Sequence, residues 1–338
     1  MLLSLLSAGF IIIALVYLAI SRQFGDILDV LKSINIFFLF LSIFFIFASM
    51  IILALRWNMI SKEIGANKTR KFGMLVGISS LGNLLNLVTP VKSGYYIKVP
   101  ILKSIECLQF KSVVAAVNIE TLSDFIYILS LVPVYFIVMA LSLQQDSFVT
   151  IVLYLLLIVF FLMFLSMTLT QIFLKKVPLI SNLKPEYFGF ALPFLMKLAG
   201  LVESTKELIT KKGLLNKSLI FTLFSQLTGV FGVYLLVFAI GEKMSFVYFF
   251  YSFTISYMIG ILSMLPGGIG TTDFSLVVLL QSGGLALPDA VVIAILSRVI
   301  IYCLSALLAI SFVITYYSFI KNLTKYEINE QDIEFTTK

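Results

Sequence analysis

From Met244 to Ala294 the chain is apolar and almost uncharged, and Leu265-Pro266-Gly267-Gly268-Ile269-Gly270-Thr271-Thr272-Asp273 interrupts it midway. Proline removes a backbone donor and glycine lowers helical bias, so a helix must break here. In hydrocarbon a break leaves N–H and C=O groups that only protein or a hydrated cavity can satisfy. The two arms are unequal: Ser245–Leu265 is long, whereas Phe274–Leu280 is too short to cross a bilayer. Such an arrangement reads as a re-entrant hairpin. An ordinary kinked span is the alternative, because Gly and Pro are commoner in membrane helices than in soluble ones.

The feature is repeated. The stretch from Leu81 to Gly94 also ends a long apolar arm at a proline, and each proline is followed four places later by glycine: Pro90 and Gly94, Pro266 and Gly270. A short arm (Tyr95 to Leu102 in the first copy) and then a full-length apolar segment follow each break. Interrupted helices in corresponding positions of two halves are the sequence pointer to a transporter-type site.

Composition sets the solvent. The 338 residues are 60% hydrophobic and 12% charged, with mean hydropathy +1.09, more apolar surface than a soluble domain could hide. The net charge of +7 sits mostly in short loops, so it reports membrane topology and not nucleic-acid binding. There is no histidine, which removes the commonest metal ligand and general base and any Ser–His or Cys–His nucleophile. Cys107 and Cys303 resemble neither a disulfide nor a metal pair. No cofactor is expected, and Gly267-Gly268-x-Gly270 lacks the strand–turn–helix context of a nucleotide fingerprint.

Taken in order, Met1–Ile20 is predicted to be a retained first span, and a loop with Arg22, Asp26, Asp29 and Lys32 follows. A second span, Ile34–Leu55, ends at Arg56-Trp57, a charge and an aromatic at interface depth. Arg56, Lys62, Lys68, Arg70 and Lys71 place the next loop, and with it the N-terminus, in the cytoplasm. The first hairpin, Phe72 to Pro100, enters from that side and returns to it, with Lys98, Lys103 and Lys111 marking the return. Ser112–Leu141 crosses outward to a loop at Gln144, Gln145 and Asp146, and Phe148–Leu174 crosses back. Residues 175–217 form a lysine-rich cytoplasmic linker. Within it Tyr187–Ile209 has the apolar spacing of a helix lying on the inner leaflet, a solvated linker being the other reading. Ser218–Ile240 crosses outward, the second hairpin enters from outside, Leu287–Tyr317 returns, and 321–338 is a polar cytoplasmic tail.

The predicted fold is therefore all-α and polytopic: six spans and two re-entrant hairpins as an inverted repeat, in the cytoplasmic membrane with both termini inside. The membrane domain covers 1–320, with halves 1–141 and 148–320.

Few residues can carry chemistry. Glu120 and Asp124 stand four apart and share a helix face. They lie about 12 and 18 Å from the cytoplasmic end of their helix, and Arg298 falls near the depth of Asp124. Charges at such depth face a partner or a cavity, so Arg298 is expected to pair with Asp124, Glu120 or both. The pair is either structural or an element that rearranges with substrate. Lys92, in the first break, either attracts an anionic headgroup or snorkels to the cytoplasm. Asp273, just past the second break, either serves the site or caps the short arm. Exposed N–H groups at both breaks would suit an anion.

Pro90-x-x-x-Gly94, then Ile119-Glu120-Thr121-Leu122-Ser123-Asp124, then Leu265-Pro266-Gly267-Gly268-Ile269-Gly270, then Arg298 resemble the lysylphosphatidylglycerol synthase transmembrane family. These flippase-like proteins include the membrane half of the bacterial multiple peptide resistance factor. The resemblance implies movement of a phospholipid or lipid-linked anionic headgroup between leaflets. Membrane lipids are then the partners, and a lipid-modifying enzyme or glycosyltransferase is a further one. This chain departs from the family pattern at Tyr95, usually acidic, at Thr121, commonly arginine, and at Asp273, usually glutamate. The soluble aminoacyl-transferring domain of the full synthases is not in this sequence, so the chain is expected to be no enzyme. An accessory subunit in lipid or glycolipid modification and a small-solute or ion carrier are the rival classes.

Overall fold

The computed structural model describes residues 23–66, 71–87, 89–106, 108–142, 204–209, 211, 213–263 and 265–316. The expected first span, the crossing at Phe148–Leu174, most of the cytoplasmic linker, and the tail lie outside them. Every regular element among the described residues is helical: α1 (Gln23–Lys32), α2 (Ile36–Glu63), α3 (Phe72–Asn86), a 3₁₀ segment (Pro90–Ile97), α4 (Lys98–Glu106), α5 (Phe110–Ser142), α6 (Leu214–Ala239), α7 (Phe246–Leu262), a 3₁₀ turn (Pro266–Gly268), α8 (Thr271–Ser282) and α9 (Leu287–Thr315). Three of them, α2, α6 and α9, are long and apolar enough to cross a membrane.

Two expectations change. Gln23–Lys32, read as part of a loop, is a helix with Asp26 in its first turn and Lys32 in its last, each suited to the dipole end it occupies. Ile27 anchors it in an apolar cluster with Val291 and Val292 of α9. The second correction is to α2, which starts on an Asn35 side-chain cap accepting from the Phe37 N–H at 3.0 Å and runs on to Glu63. Arg56 and Trp57 therefore lie inside a helix and are fully buried. Protein packing takes up that charge and ring. Lipid-type exposure falls instead on Phe37, Phe40 and Phe44, spaced three and four apart along one face.

The described residues form two compact units, one up to Gln109 together with those from Ile220 onward, the other from Phe110 to Leu219. In the first, α2 and α6 run antiparallel along their length. The Asn35 N–H donates to Ala239 O at 2.7 Å, Gly232 lies against Ile46, the Ser225 hydroxyl donates to Ser49 O at 3.1 Å, and Arg56 donates to Thr222 Oγ1 at 2.5 Å. Between lipid-soluble helices, close approach at small residues replaces the hydrophobic drive available in water. Gly77 of α3 accordingly receives Phe312 of α9. Helices α7 and α8 fold back on each other: the Tyr248 hydroxyl donates to Leu279 O at 2.8 Å at one end, and Gly260 meets Thr272 at the other. An aromatic cluster of Phe231, Tyr234, Phe246 and Phe249 joins α6 to α7, with ring centres 5.1 to 5.9 Å apart for Phe246 on Tyr234 and Phe231.

The second unit holds α5, helical residues 204–209 and the first turns of α6. Side-chain hydrogen bonds link them: Asn118 donates to Thr205 at 3.0 Å and Ser123 to Ser218 at 2.7 Å.

Candidate functional site

Each break begins the same way. A residue preceding proline is pushed out of the helical region, and Thr89 (φ −114°, ψ 145°) and Leu265 (φ −71°, ψ 145°) are both extended. Pro90 and Pro266 then open a 3₁₀ turn at a position where the missing N–H is no loss.

The glycines serve different ends. Gly267 (φ 59°), Gly268 (φ 61°) and Gly270 (φ 86°) are left-handed, a conformation only glycine adopts without strain. Gly94 is needed for space: a Cβ there would come within 2.5 Å of the Leu85 carbonyl carbon and 2.8 Å of Asn86 Oδ1. The two breaks also touch each other. A Cβ on Gly267 would lie 2.7 Å from Leu87 O and 3.1 Å from Leu87 Cα, so the main chain of the second break rests on that of the first.

The carbonyls released by the left-handed turn are taken up by Arg298. Its Nη1 donates to Gly267 O at 3.0 Å and also to the Tyr302 hydroxyl one turn on, its Nη2 to Gly268 O at 3.2 Å, and its Nε to Asp273 Oδ1. Four of the five guanidinium N–H groups are thereby engaged. Asp273 uses its other oxygen to accept the Gly270 N–H at 3.0 Å, closing the N-terminus of α8. The expected pairing of Arg298 with Asp124 or Glu120 is thus corrected: its carboxylate partner is Asp273. Lateral position was not readable from the sequence. The N–H groups at the head of α8 also face a carboxylate already in place, so that helix end does not stand open to an anion. The pair retains exposure, 19% for Arg298 and 33% for Asp273.

Of the residues singled out by sequence, Pro266, Gly267, Gly268, Gly270, Asp273 and Arg298 come together, and Pro90 and Gly94 belong to the break they touch. Lys92 lies within the 3₁₀ segment by its backbone, while its side chain lies outside what is described. Glu120 and Asp124 are on α5 in the second unit, both 2% exposed. Sequence reasoning missed one cluster. Lys98, read as a loop charge, is fully buried, its Nζ 4.1 Å from the centre of the Trp57 ring and 4.9 Å from that of Tyr95. The signal was there: a tryptophan beside an arginine, and a Tyr-Tyr pair just ahead of a lysine.

The model for the lysylphosphatidylglycerol synthase TM region matches residues 3–309. The chain belongs to that family. A comparison with curated proteins gave no match. As a member of the lysylphosphatidylglycerol synthase TM region family with long apolar helices, the chain is a membrane protein, and the family points to a lipid-related role. Among the described residues the second break is irregular backbone whose carbonyls are satisfied by a charged side chain, as a bilayer setting requires.

Proposed function

We propose that the chain moves a phospholipid or lipid-linked anionic headgroup between the leaflets of the cell membrane by alternating access. One observation carries the reading: elements that correspond in the two halves meet each other. The break after α3 rests on the break after α7, and α2 lies antiparallel to α6, the helix in the matching position of the second half. Such self-pairing is what a two-fold axis in the membrane plane produces, and it supports an inverted repeat with α3–α4 and α7–α8 as re-entrant hairpins. In this reading both termini are cytoplasmic and the site is assembled where the hairpin tips touch. Asp273 and Arg298 hold the second tip, and Lys92 belongs to the first. The function is transport and not catalysis.

The test is lipid scrambling by the purified chain in sealed vesicles carrying a panel of headgroup-labelled phospholipids. Protein-dependent exposure of at least one anionic lipid to an external quencher is expected. Arg298→Lys should retain little of that rate, because an ammonium keeps the charge but cannot bridge two carbonyls and a carboxylate at once. A panel with no exposed lipid, alongside uptake of a small anion, would replace this reading with that of a solute carrier.

A further inference from the structure

We propose that α1 lies flat in the headgroup layer, with Leu28 and Leu31 inserted among the upper acyl chains of the outer leaflet. Only the choice of leaflet rests on the transport reading. At about 100° per residue, Val30, Ile27, Leu31 and Leu28 fall within one arc of about 160° on α1. Lys32, Asp29 and Asp26 share an opposite arc of about 120°.

The apolar arc has two halves with different surroundings. Ile27 is buried and Val30 half-buried against Leu287, Val291, Val292 and Leu296 of α9, with Ile240 from just past the end of α6. Leu28 and Leu31, on the other half, are 41% and 36% exposed.

What meets those two leucines follows from where the helix sits. After Lys32 and a short turn, α2 starts anew on its Asn35 cap, and the Asn35 N–H donates to the carbonyl of Ala239, the last residue of α6. Val291 and Val292 belong to the first turns of α9. Thus α1 sits where three helices long enough to span begin or end, the level at which hydrocarbon gives way to headgroups. The exposed apolar face of α2 starts directly after the turn, at Ile36 and Phe37. On the polar arc, Lys32 Nζ pairs with Asp29 Oδ1 at 2.9 Å, and both side chains are about three-quarters exposed. Leucines toward hydrocarbon and a hydrated ion pair opposite are the arrangement of a helix lying in the interface, its apolar face about 5–10 Å into the headgroup–acyl boundary. With two acids against one lysine, α1 gains no attraction to anionic lipid; its leucines and the adjoining span keep it there. Through Ile27 it also fixes the beginning of α9, the helix that carries Arg298, at headgroup depth.

The full chain with Cys107 and Cys303 replaced is reconstituted in phosphatidylcholine vesicles, bearing one fluorophore-labelled cysteine at Leu28, Asp29, Leu31 or Lys32. Quenchers are iodide, present on both sides, and lipids spin-labelled near the top or near the end of an acyl chain. Probes at 28 and 31 should be quenched by the shallow label about threefold more than by the deep one, and little by iodide. Probes at 29 and 32 should respond mainly to iodide. Equal iodide quenching at all four positions overturns the proposal by placing the whole helix in water. Stronger quenching by the deep label overturns it by making α1 part of a span. No quenching at 28 and 31 overturns it by showing protein cover, from the span predicted at Met1–Ile20 or from a second copy. Asp29→Cys should be labelled from outside sealed cells. Labelling from the inside alone overturns the outer-leaflet choice, and with it the topology of the transport reading, while the insertion stands.

Discussion

The glycines of the second break separate two contributions that are usually mixed. Gly267 and Gly284 both have positive φ, 59° and 99°, but only Gly267 has backbone within reach of an added Cβ. An alanine at Gly284 should cost only left-handed strain, about 1–2 kcal/mol. At Gly267 the same strain is joined by collision with the Leu87 carbonyl, adding about 1–3 kcal/mol of overpacking. Thermal unfolding of the two solubilised variants reads the difference, and equal losses of melting temperature would mean that the breaks do not bear on each other. Sequence showed these glycines as a pair of matching motifs, Pro90 to Gly94 and Pro266 to Gly270. It could not show that Gly94 supplies space while Gly270 supplies a left-handed turn, because spacing carries no φ angle. Nor could it show Arg298 reaching Asp273, since 25 positions of separation give no lateral contact.

At the level of elements the apolar runs were legible and their ends less so. Apolar length alone located α5, α6, α7 and α9 to within a few residues, and proline fixed both breaks. Helix α1 escaped because ten residues carrying Asp26, Asp29 and Lys32 look like a loop until Ile27 finds its apolar cluster on α9. Helix α2 runs on past Arg56-Trp57 to Glu63 because both residues find buried places in the protein, which their appearance in the sequence does not show. How the elements join can be tested at Gly77, whose Cα faces Phe312 across the α3–α9 contact. Gly77→Ala should destabilise by displacing the ring, and Phe312→Ala by removing it. Combined, they should cost less than their sum by about 0.5–3 kcal/mol, the range of coupling between residues in contact. Strict additivity in a double-mutant cycle of unfolding would mean that this glycine is not what lets the helices approach.

For the whole molecule, the two breaks were readable as matching motifs along the chain, and their meeting was not, because contact between distant segments leaves no mark in a linear pattern. Topology is the property to measure. With Cys107 and Cys303 replaced, single cysteines at the exposed positions Lys71, Lys103 and Gly283 are labelled in sealed cells. Reagent confined to the outside should reach position 283 and miss 71 and 103. Labelling of 103 from outside would make the first hairpin a full crossing and remove the inverted repeat.

The contact between the breaks is made of main chain, Gly267 against the carbonyl of Leu87, and main chain is common to every sequence that keeps the turn. Side chains around it are free to be exchanged without touching the joint itself. The residue after the first glycine is Tyr95, and its ring lies 4.9 Å from Lys98 Nζ. A joint that is indifferent to side chains lets the positions around it be exchanged while the meeting of the two breaks is kept.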